Sequence, residues 1–226
     1  MTLFYIMPSQ TFIRLSDQKK QELLHACLVE FALNDYKNAS VTTIVKKTGI
    51  AKGSIYQYFK NKKDLYFYLI DEVLQMKYKK LSPMLEKMSE QFLNYYQDFF
   101  MAELQFYFQY PLHASFLHNF YHERNTEELG NLLLEKKREE IIRITRTIEQ
   151  EKSKLKIRQS VKSETLAFVF MQIQIGLGDY ISIKYGKDIR ENILNGTPAF
   201  EKFPESEIKK SLVGISFILR NGIMDM

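Results

Sequence analysis

The sequence is poor in the residues that build disulfides, irregular loops and metal sites. Its 226 residues include one cysteine, no tryptophan, four histidines, nine glycines and five prolines. A single cysteine, Cys27, excludes an internal disulfide and is typical of a reducing cytoplasm. So few glycines and prolines argue against a loop-rich β protein or a disordered chain. Apolar residues make up 45% of the chain, which is enough for a substantial core.

Targeting and membrane signals are also sparse. The opening residues MTLFYIM are apolar, but they lack a basic leader and a small-residue cleavage site. No run approaches the ~18 consecutive apolar residues that indicate a membrane-spanning helix. We therefore expect a cytoplasmic protein with no membrane partner.

Positive charge is concentrated near the N-terminus. The first 65 residues contain ten lysines and arginines against five acidic residues, and the remaining 161 contain 22 of each. The formal net charge of +5 therefore arises entirely in the first third of the chain. Between Tyr36 and Lys63 there are seven lysines and no acidic residue. Such a segment can neutralise phosphates and release counterions from a nucleic acid.

Hydrophobic spacing predicts helices along the whole chain and no convincing strand, so the expected fold class is all-α. The predicted helices lie at about 16–34, 42–47, 52–59, 62–80, 84–109, 111–122, 126–154, 165–184 and 204–220. Ser82-Pro83 is expected to end the fourth of these helices. The helix at 165–184 is apolar almost all round, so we expect both of its sides to be covered.

Two of the short predicted helices are joined by a tight turn at Thr48-Gly49-Ile50, as in a helix-turn-helix. In that motif the second helix enters the major groove of DNA and the first helix braces it. Thr42 and Thr43 begin the bracing helix, where hydroxyls and free N–H groups can hold a phosphate. The outer face of the second helix offers the other residues expected to meet DNA: Lys52, Gly53, Ser54, Tyr56, Gln57 and Tyr58.

The residue types suit contacts with a duplex. Lys52 and Gln57 could reach base edges, and Tyr56 could touch a thymine methyl group or a phosphate. Gly53 would let the backbone come close to the DNA. Lys62, at the head of the next helix, is expected to grip the flanking backbone. For Tyr56 and Tyr58 a second interpretation stays open, in which the rings only brace the helix.

The run TTIVKKTGIAKGSIYQYFKNKKDLYFYLI resembles the DNA-binding signature of the TetR/AcrR family of transcriptional regulators. The resemblance covers about residues 17–70 and rests on Thr43-Ile44, Gly49-Ile50, Lys52-Gly53-Ser54, Ile55-Tyr56, Tyr58-Phe59, Lys62 and Leu65. One departure is Ala51, because many members carry Ser or Thr before the Lys-Gly pair. An alanine there loses a helix cap worth ~1 kcal/mol and a potential phosphate contact.

The resemblance implies a homodimeric repressor that binds a near-palindromic operator and is released by a small lipophilic molecule. It also implies three parts: an N-terminal extension at 1–15, a three-helix DNA-binding domain at 16–62, and a larger helical domain at 63–226 for ligand binding and dimerisation. The aromatic helices of the larger domain suggest candidates for the wall of a ligand pocket: Phe99, Glu103, Tyr107, Phe120, Met171 and Gln174.

Two helices near the C-terminus, at about 165–184 and 204–220, are candidates for the dimer interface. They are apolar and contain Gly176, Gly178, Gly214 and Ser216, which permit close helix approach. Two such helices from each chain could form a four-helix interface, which is the arrangement that the resemblance implies. The alternative is that these helices pack only within one chain.

Two other functions stay open. The first is a small-molecule-binding or scaffold protein of the same fold that does not bind DNA specifically. The second is an enzyme with a metal site at His118, His122 and Glu123, since histidines four apart on a helix can bind zinc. The sequence contains no third ligand at motif spacing and no catalytic motif, so we expect neither a metal, nor a cofactor, nor enzymatic activity.

Overall fold

The structure, a computed structural model, describes residues 6–85, 92–124, 126–153, 156–187, 191–193 and 204–223. Within these ranges it leaves out the side chains of residues 52, 84–85, 92–96, 151, 220 and 223. The described elements are helices, which confirms the all-α fold class. In chain order they are α1 (Gln10–Ile13), α2 (Asp17–Leu33), α3 (Val41–Thr48), α4 (Lys52–Tyr58), α5 (Lys62–Leu85), α6 (Phe92–Gln109), α7 (Pro111–His122), α8 (Gly130–Glu151), α9 (Ser163–Tyr185) and α10 (Glu205–Ile223).

Local sequence explains where the N-terminal helices begin and end. The side-chain oxygens of Ser9, Ser16 and Ser40 accept backbone N–H bonds in the first turns of α1, α2 and α3. Asn61 Oδ1 accepts the N–H of Asp64 in the same way at the start of α5. Gly49 ends α3 with a φ of +68°, a left-handed conformation that glycine adopts without steric strain.

The chain divides into two compact units, of which the first comprises Met1–Tyr78 and Leu112–Leu129. Its core is rich in aromatic side chains that are almost fully buried, among them Phe31, Tyr36, Tyr66 and Phe116. The Phe31 and Tyr66 ring centroids are 5.1 Å apart, and those of Tyr66 and Phe116 are 5.7 Å apart in an edge-on pair. Aromatic pairs at these separations stabilise a core beyond the area that they bury.

The second unit comprises Lys79–Pro111 and Gly130–Met226. In it α9 packs on α8 and α6, and α6 also packs on α10. Their buried faces form one core, which includes Phe100, Leu104, Leu166, Ala167, Phe170, Leu177, Ile181, Ile208 and Leu212. Gly178 permits close packing, because a Cβ on it would lie 2.5 Å from the Tyr107 ring. The removal of apolar surface from water stabilises this packing by ~25 cal/mol for each Å² buried.

Helix α9 has enough length and apolar character to cross a membrane, with a mean hydropathy of 1.4 over its most apolar window. Only 39% of that window is buried within the chain. Leu166, Phe170 and Ile181 lie in the core of the second unit, whereas Phe168 and Ile183 are exposed. The expectation that both sides of this helix are covered is therefore wrong for the single chain.

Two predicted helix boundaries also need correction, and the structure contains one helix that was not predicted. Helix α5 continues through Pro83 to Leu85, so the proline does not end the helix where the sequence predicts. Helix α8 begins at Gly130, not near Thr126, since the Thr126 hydroxyl accepts the N–H of Leu129 in a turn. The N-terminal extension contains a short helix that the spacing did not predict. The segment at 186–203, for which the sequence predicts no helix, lies mostly outside the described residues, and the domain boundary after residue 62 stays a prediction.

Candidate nucleic-acid interface

Helices α3 and α4 form a compact helix-turn-helix. On α3, Ile44 and Val45 are buried, and on α4 Ile55 is 2% exposed. Phe59, which follows α4, is also buried and donates its N–H to the carbonyl of Ile55. The pair packs its inner faces as the sequence predicts. These contacts fix which side of α4 faces outward.

The outward side of α4 carries Gly53, Tyr56 and Gln57, which are exposed. Tyr56 is 51% exposed, a high value for a large aromatic side chain. A Cβ on Gly53 would meet no atom within 4 Å, so packing within the protein does not require glycine there. Lys46, Lys47 and Lys60 are exposed nearby in the sequence. A surface with polar, aromatic and cationic groups can meet both bases and phosphates.

The remaining predicted DNA-contacting residues are less open. Thr42 and Thr43 are half-buried in the first turn of α3, and Ser54 is half-buried on α4. Tyr58 is half-buried too, with its ring edge-on to Phe12 at 6.0 Å between centroids. The bracing interpretation of this tyrosine thus has a specific partner. The side chain of Lys52 lies outside the described part of the chain. DNA contacts by all of these residues stay predictions.

Lys62 has an intramolecular role that the sequence did not indicate. Its ammonium nitrogen donates to the carbonyl oxygens of Lys37 at 3.3 Å and Ala39 at 3.1 Å, and lies 4.5 Å from the centre of the Tyr36 ring. These contacts hold the loop between α2 and α3. An ammonium has three N–H donors, so two carbonyl bonds leave one that a phosphate could accept. The phosphate contact at this position stays a prediction.

A buried carboxylate on α2 anchors the start of α3. Glu30 is 6% exposed, and its Oε1 accepts the N–H of Ser40 at 2.9 Å. Its Oε2 lies 4.0 Å from Nζ of Lys47. A buried carboxylate destabilises the fold unless it accepts hydrogen bonds or pairs with a cation. Both partners of Glu30 lie at or within α3, so Glu30 helps to position that helix. The signal in the sequence was an acid next to the apolar positions Cys27 and Phe31.

Helix α7 binds the C-terminal end of α2 within the first unit. Asn119 Nδ2 donates to the carbonyls of Phe31 at 2.9 Å and Ala32 at 3.0 Å, and Ser115 Oγ donates to the same Ala32 oxygen at 2.8 Å. These bonds satisfy carbonyls that a helix end leaves without helical partners. Nothing in the sequence pattern marked these two polar residues as contacts.

The segment after α7 binds the loop after α2. A Glu123 carboxylate oxygen accepts the N–H of Tyr36 at 2.8 Å, and Glu128 accepts a bond from the Tyr36 hydroxyl. Burial and the adjacent carboxylates raise the pKa of the Tyr36 hydroxyl, which therefore stays protonated and donates. Glu123, a candidate metal ligand in the sequence, thus holds the loop after α2 through one of its carboxylate oxygens.

Cys27 is a core residue, as its place in the apolar face of α2 predicts. Its side chain is fully buried. Burial raises the pKa of its thiol to about 12. The thiolate is the reactive form of cysteine, so this thiol is inert at neutral pH.

The residues expected to line a ligand pocket fall in both units. Phe120 is fully buried in the first unit. In the second unit, Phe99 and Met171 pack against the core, and Tyr107 is the ring that contacts Gly178. Glu103 is buried and already interacts with other groups, and Gln174 is half-buried. An open groove lies elsewhere in this unit, lined by Gln97 and by polar residues at the start of α10. The ligand roles stay predictions.

Helices α9 and α10 expose large apolar side chains. The exposed side chains are Phe168, Tyr180 and Ile183 on α9, and Val213, Phe217 and Ile218 on α10. Ile183 is 82% exposed and Ile218 is 72% exposed. A Cβ on Gly176 or Gly214 would meet no atom within 4 Å, whereas Gly178 packs against the Tyr107 ring of the same chain. We call these six apolar residues the α9–α10 face.

The geometry defines a class of protein: an all-helical chain whose N-terminal unit holds a helix-turn-helix with an exposed second helix. Residues 20–69 match the model of a family described as bacterial regulatory proteins, tetR family. The N-terminal unit therefore carries a DNA-binding domain of the tetR family. This confirms the resemblance carried by the motif around the turn.

Similar proteins support the tetR-family assignment both by sequence identity and by structural alignment. Over 72 residues the chain is 35% identical to the fatty acid metabolism regulator protein of Bacillus subtilis (strain 168). The alignment covers 32% of this chain and 34% of that protein. The match thus spans about a third of that relative's length. A TetR family transcriptional regulator from Chloroflexus aurantiacus J-10-fl aligns with a TM-score of 0.74 and 25% identity, over 97% of this chain and 100% of the other.

A third relative has the same fold at lower identity. It is the fatty acid degradation regulator FadR of Bacillus halodurans, with a TM-score of 0.61 and 18% identity. The alignment covers 86% of this chain and 97% of that one. These similarities extend the fold assignment beyond the DNA-binding domain to nearly the whole chain.

Proposed function

We propose that this protein is a homodimeric transcriptional repressor that binds a near-palindromic DNA operator through α4 and is released by a small lipophilic effector. The observation that carries the proposal is the outward face of α4. Gly53, Tyr56 and Gln57 are exposed there, while Ile55 and Phe59 are buried beneath them. A recognition helix needs this division, because its inner side must be fixed while its outer side reads base edges.

The charge distribution supports a duplex as the partner. The excess of +5 lies in the first 65 residues, and Lys46, Lys47 and Lys60 are exposed. Lysines that neutralise phosphates give an affinity that falls steeply with salt. The protein would act in the cytoplasm, where bacterial DNA lies.

The α9–α10 face supports a dimer. Large apolar side chains exposed along two helices are typical of a protein–protein interaction surface. A second copy of the same face would cover them in an isologous interface. Two linked recognition helices would then bind half-sites about one helical turn, ~34–36 Å, apart or a multiple of it.

The aromatic content of the second unit supports a lipophilic effector. Two relatives are described as regulators of fatty acid metabolism or degradation. Long-chain acyl compounds are therefore the first class to test. An effector that binds better when the two DNA-binding domains are apart shifts the population away from the DNA-binding form.

The test is retardation of the DNA upstream of the protein's own gene, measured at low salt and then with added palmitate or palmitoyl coenzyme A. We expect a retarded band that disappears with the acyl compound and persists with acetate or acetyl coenzyme A. A band that no acyl compound removes would contradict the effector class. If a folded dimer binds an acyl compound but retards no DNA, the protein is a binding protein of this fold and not a regulator.

A further inference from the structure

The N-terminal segment before α2 contacts the C-terminal end of the recognition helix α4. Ser9 donates its backbone N–H to the carbonyl of Tyr58 at 3.0 Å and its hydroxyl to the carbonyl of Gln57 at 2.5 Å. The last carbonyls of a helix have no partner within the helix. One serine, 48 residues away in the sequence, therefore satisfies two consecutive carbonyls at the end of α4.

The same serine also organises α1. Its hydroxyl oxygen accepts the N–H of Phe12 at 3.3 Å, which caps the short helix. This cap places the Phe12 ring, which is 3% exposed, against the end of α4 and the side of α5. The Phe12 centroid lies 6.0 Å from that of Tyr58, 5.1 Å from that of Phe59 and 5.7 Å from that of Tyr68. Phe12 thus bridges the recognition helix and the helix that follows it.

Helix α4 needs such support. It has seven residues, and helices of about two turns are marginal by themselves in water. Its N-cap residue is Ala51, whose side chain makes no capping hydrogen bond. The N-terminal end therefore lacks the side-chain cap that α1, α2 and α3 each have. The bonds from Ser9 and the ring of Phe12 secure the opposite end.

We infer that Ser9 and Phe12 are positioning residues for DNA recognition: they hold the end of α4, and so determine how sharply Tyr56 and Gln57 read base pairs. This inference rests on the proposed function. It assigns sequence specificity in part to a segment that acts through α4 and requires no DNA contact of its own. The N-terminal segment is then a functional part of the DNA-binding domain.

Ser9→Ala tests the inference, with Ser9→Thr as the conservative variant and Ser16→Ala as the matched control. Ser16 caps α2 through Lys19 and makes no hydrogen bond to α4 among those described. Each protein is offered a pool of randomised duplexes about 30 base pairs long, which accommodates two half-sites. Affinity is then measured for the duplex that the wild-type protein selects and for poly(dI-dC).

Ser9→Ala is expected to bind the selected duplex about 3- to 10-fold more weakly, the effect of losing the one hydrogen bond that the hydroxyl donates to α4, and to give a less sharp consensus. Its affinity for poly(dI-dC) should be unchanged, since the lysines are intact. Ser9→Thr should restore both affinity and consensus, and Ser16→Ala should leave both as in the wild type. An unchanged Ser9→Ala protein, or equal losses in Ser9→Ala and Ser16→Ala, would overturn the inference.

A wild-type protein that selects no duplex would refute the proposed function and, with it, the role in recognition. Hydrogen exchange of the proteins without DNA tests separately whether Ser9 stabilises the end of α4. Faster exchange at residues 55–59 in Ser9→Ala than in Ser16→Ala would show that Ser9 holds α4. Equal exchange would show that it does not.

Discussion

The ammonium group of Lys62 lies 4.5 Å from the centre of the Tyr36 ring, at the junction of the DNA-binding helices with α5. The same group donates to two carbonyls of the loop between α2 and α3. Tyr36 in turn donates its hydroxyl to Glu128 and its N–H to Glu123. The lysine therefore stabilises the fold of the first unit, in addition to any contact with phosphate.

Replacement of Lys62 should therefore lower stability. We expect Lys62→Ala to reduce the free energy of unfolding by about 1–3 kcal/mol, because a charged donor and a cation–π contact are lost. Urea titration measures this change. The control is Lys60→Ala, because Lys60 is an exposed lysine two positions away. Equal stability of the two variants would contradict a structural role for Lys62.

Gly53→Ala should separate stability from DNA binding. Since a Cβ at this position meets nothing within 4 Å, alanine should raise the free energy of unfolding by about 0.5–1 kcal/mol through its higher helix propensity. The added methyl group should weaken binding to the selected duplex, because it keeps the backbone away from DNA. Thermal unfolding measures the change in stability, and a binding titration measures the change in DNA affinity. A variant that binds DNA as well as the wild type would remove Gly53 from the interface.

Ala51→Ser should add the missing cap of α4. The serine hydroxyl can accept an N–H in the first turn, which is worth about 1 kcal/mol. The unfolding midpoint in urea should rise with no change in its slope. Ala39→Ser is a suitable control, since Ala39 is a buried alanine in the loop between α2 and α3 and a serine there should not stabilise. If Ala51→Ser is no more stable than the wild type, the end of α4 has another source of stabilisation.

Phe217→Glu should break the dimer. Phe217 is 61% exposed on the α9–α10 face, and a carboxylate buried in each copy would be costly. Leu134→Glu is the matched control. Leu134 is 52% exposed in the same unit, but it belongs to α8 and not to the α9–α10 face. Analytical ultracentrifugation should find a monomer for Phe217→Glu and a dimer for Leu134→Glu. The opposite pattern would place the interface on α8.

His113 should make stability depend on pH. Burial, with a smaller effect of His25, lowers the pKa of His113 in the folded protein below its usual 6.5. The unfolded chain then binds more protons near and below that pH, so stability falls as the pH falls through about 6.5. His113→Gln should flatten this part of the curve of unfolding free energy against pH. An identical curve for the variant would show that His113 is not responsible.

The fold class and the helix-turn-helix were predictable because both depend on local patterns. The spacing of Ile44, Ile55 and Phe59, and the glycine at position 49, specify the turn and the inner faces within a few residues. Serine caps likewise identify helix starts. Pro83 shows the limit of such patterns, because it lies inside α5 although a proline usually ends or kinks a helix.

The contacts over long sequence separations were not predictable. Ser9 and Gln57 are 48 residues apart, and Asn119 and Phe31 are 88 apart. Each involves a backbone carbonyl, whose availability depends on where a helix ends and not on residue type. The sequence left open whether the apolar residues of the last two helices face a core or an interface, because composition cannot distinguish the two. The structure exposes Phe217 and Ile183. Lys62 was assigned to DNA because its charge was visible and its carbonyl partners were not.

The central claim is that the outer face of α4 reads base pairs in a duplex. The most direct measurement is selection from a randomised duplex pool by the wild-type protein and by Gln57→Ala, with Gln150→Ala, an exposed glutamine on α8, as the control. We expect a near-palindromic consensus for the wild type and the control, and loss of preference at the same base pair of each half-site for Gln57→Ala. An identical consensus for all three proteins, or no enrichment by the wild type, would contradict it.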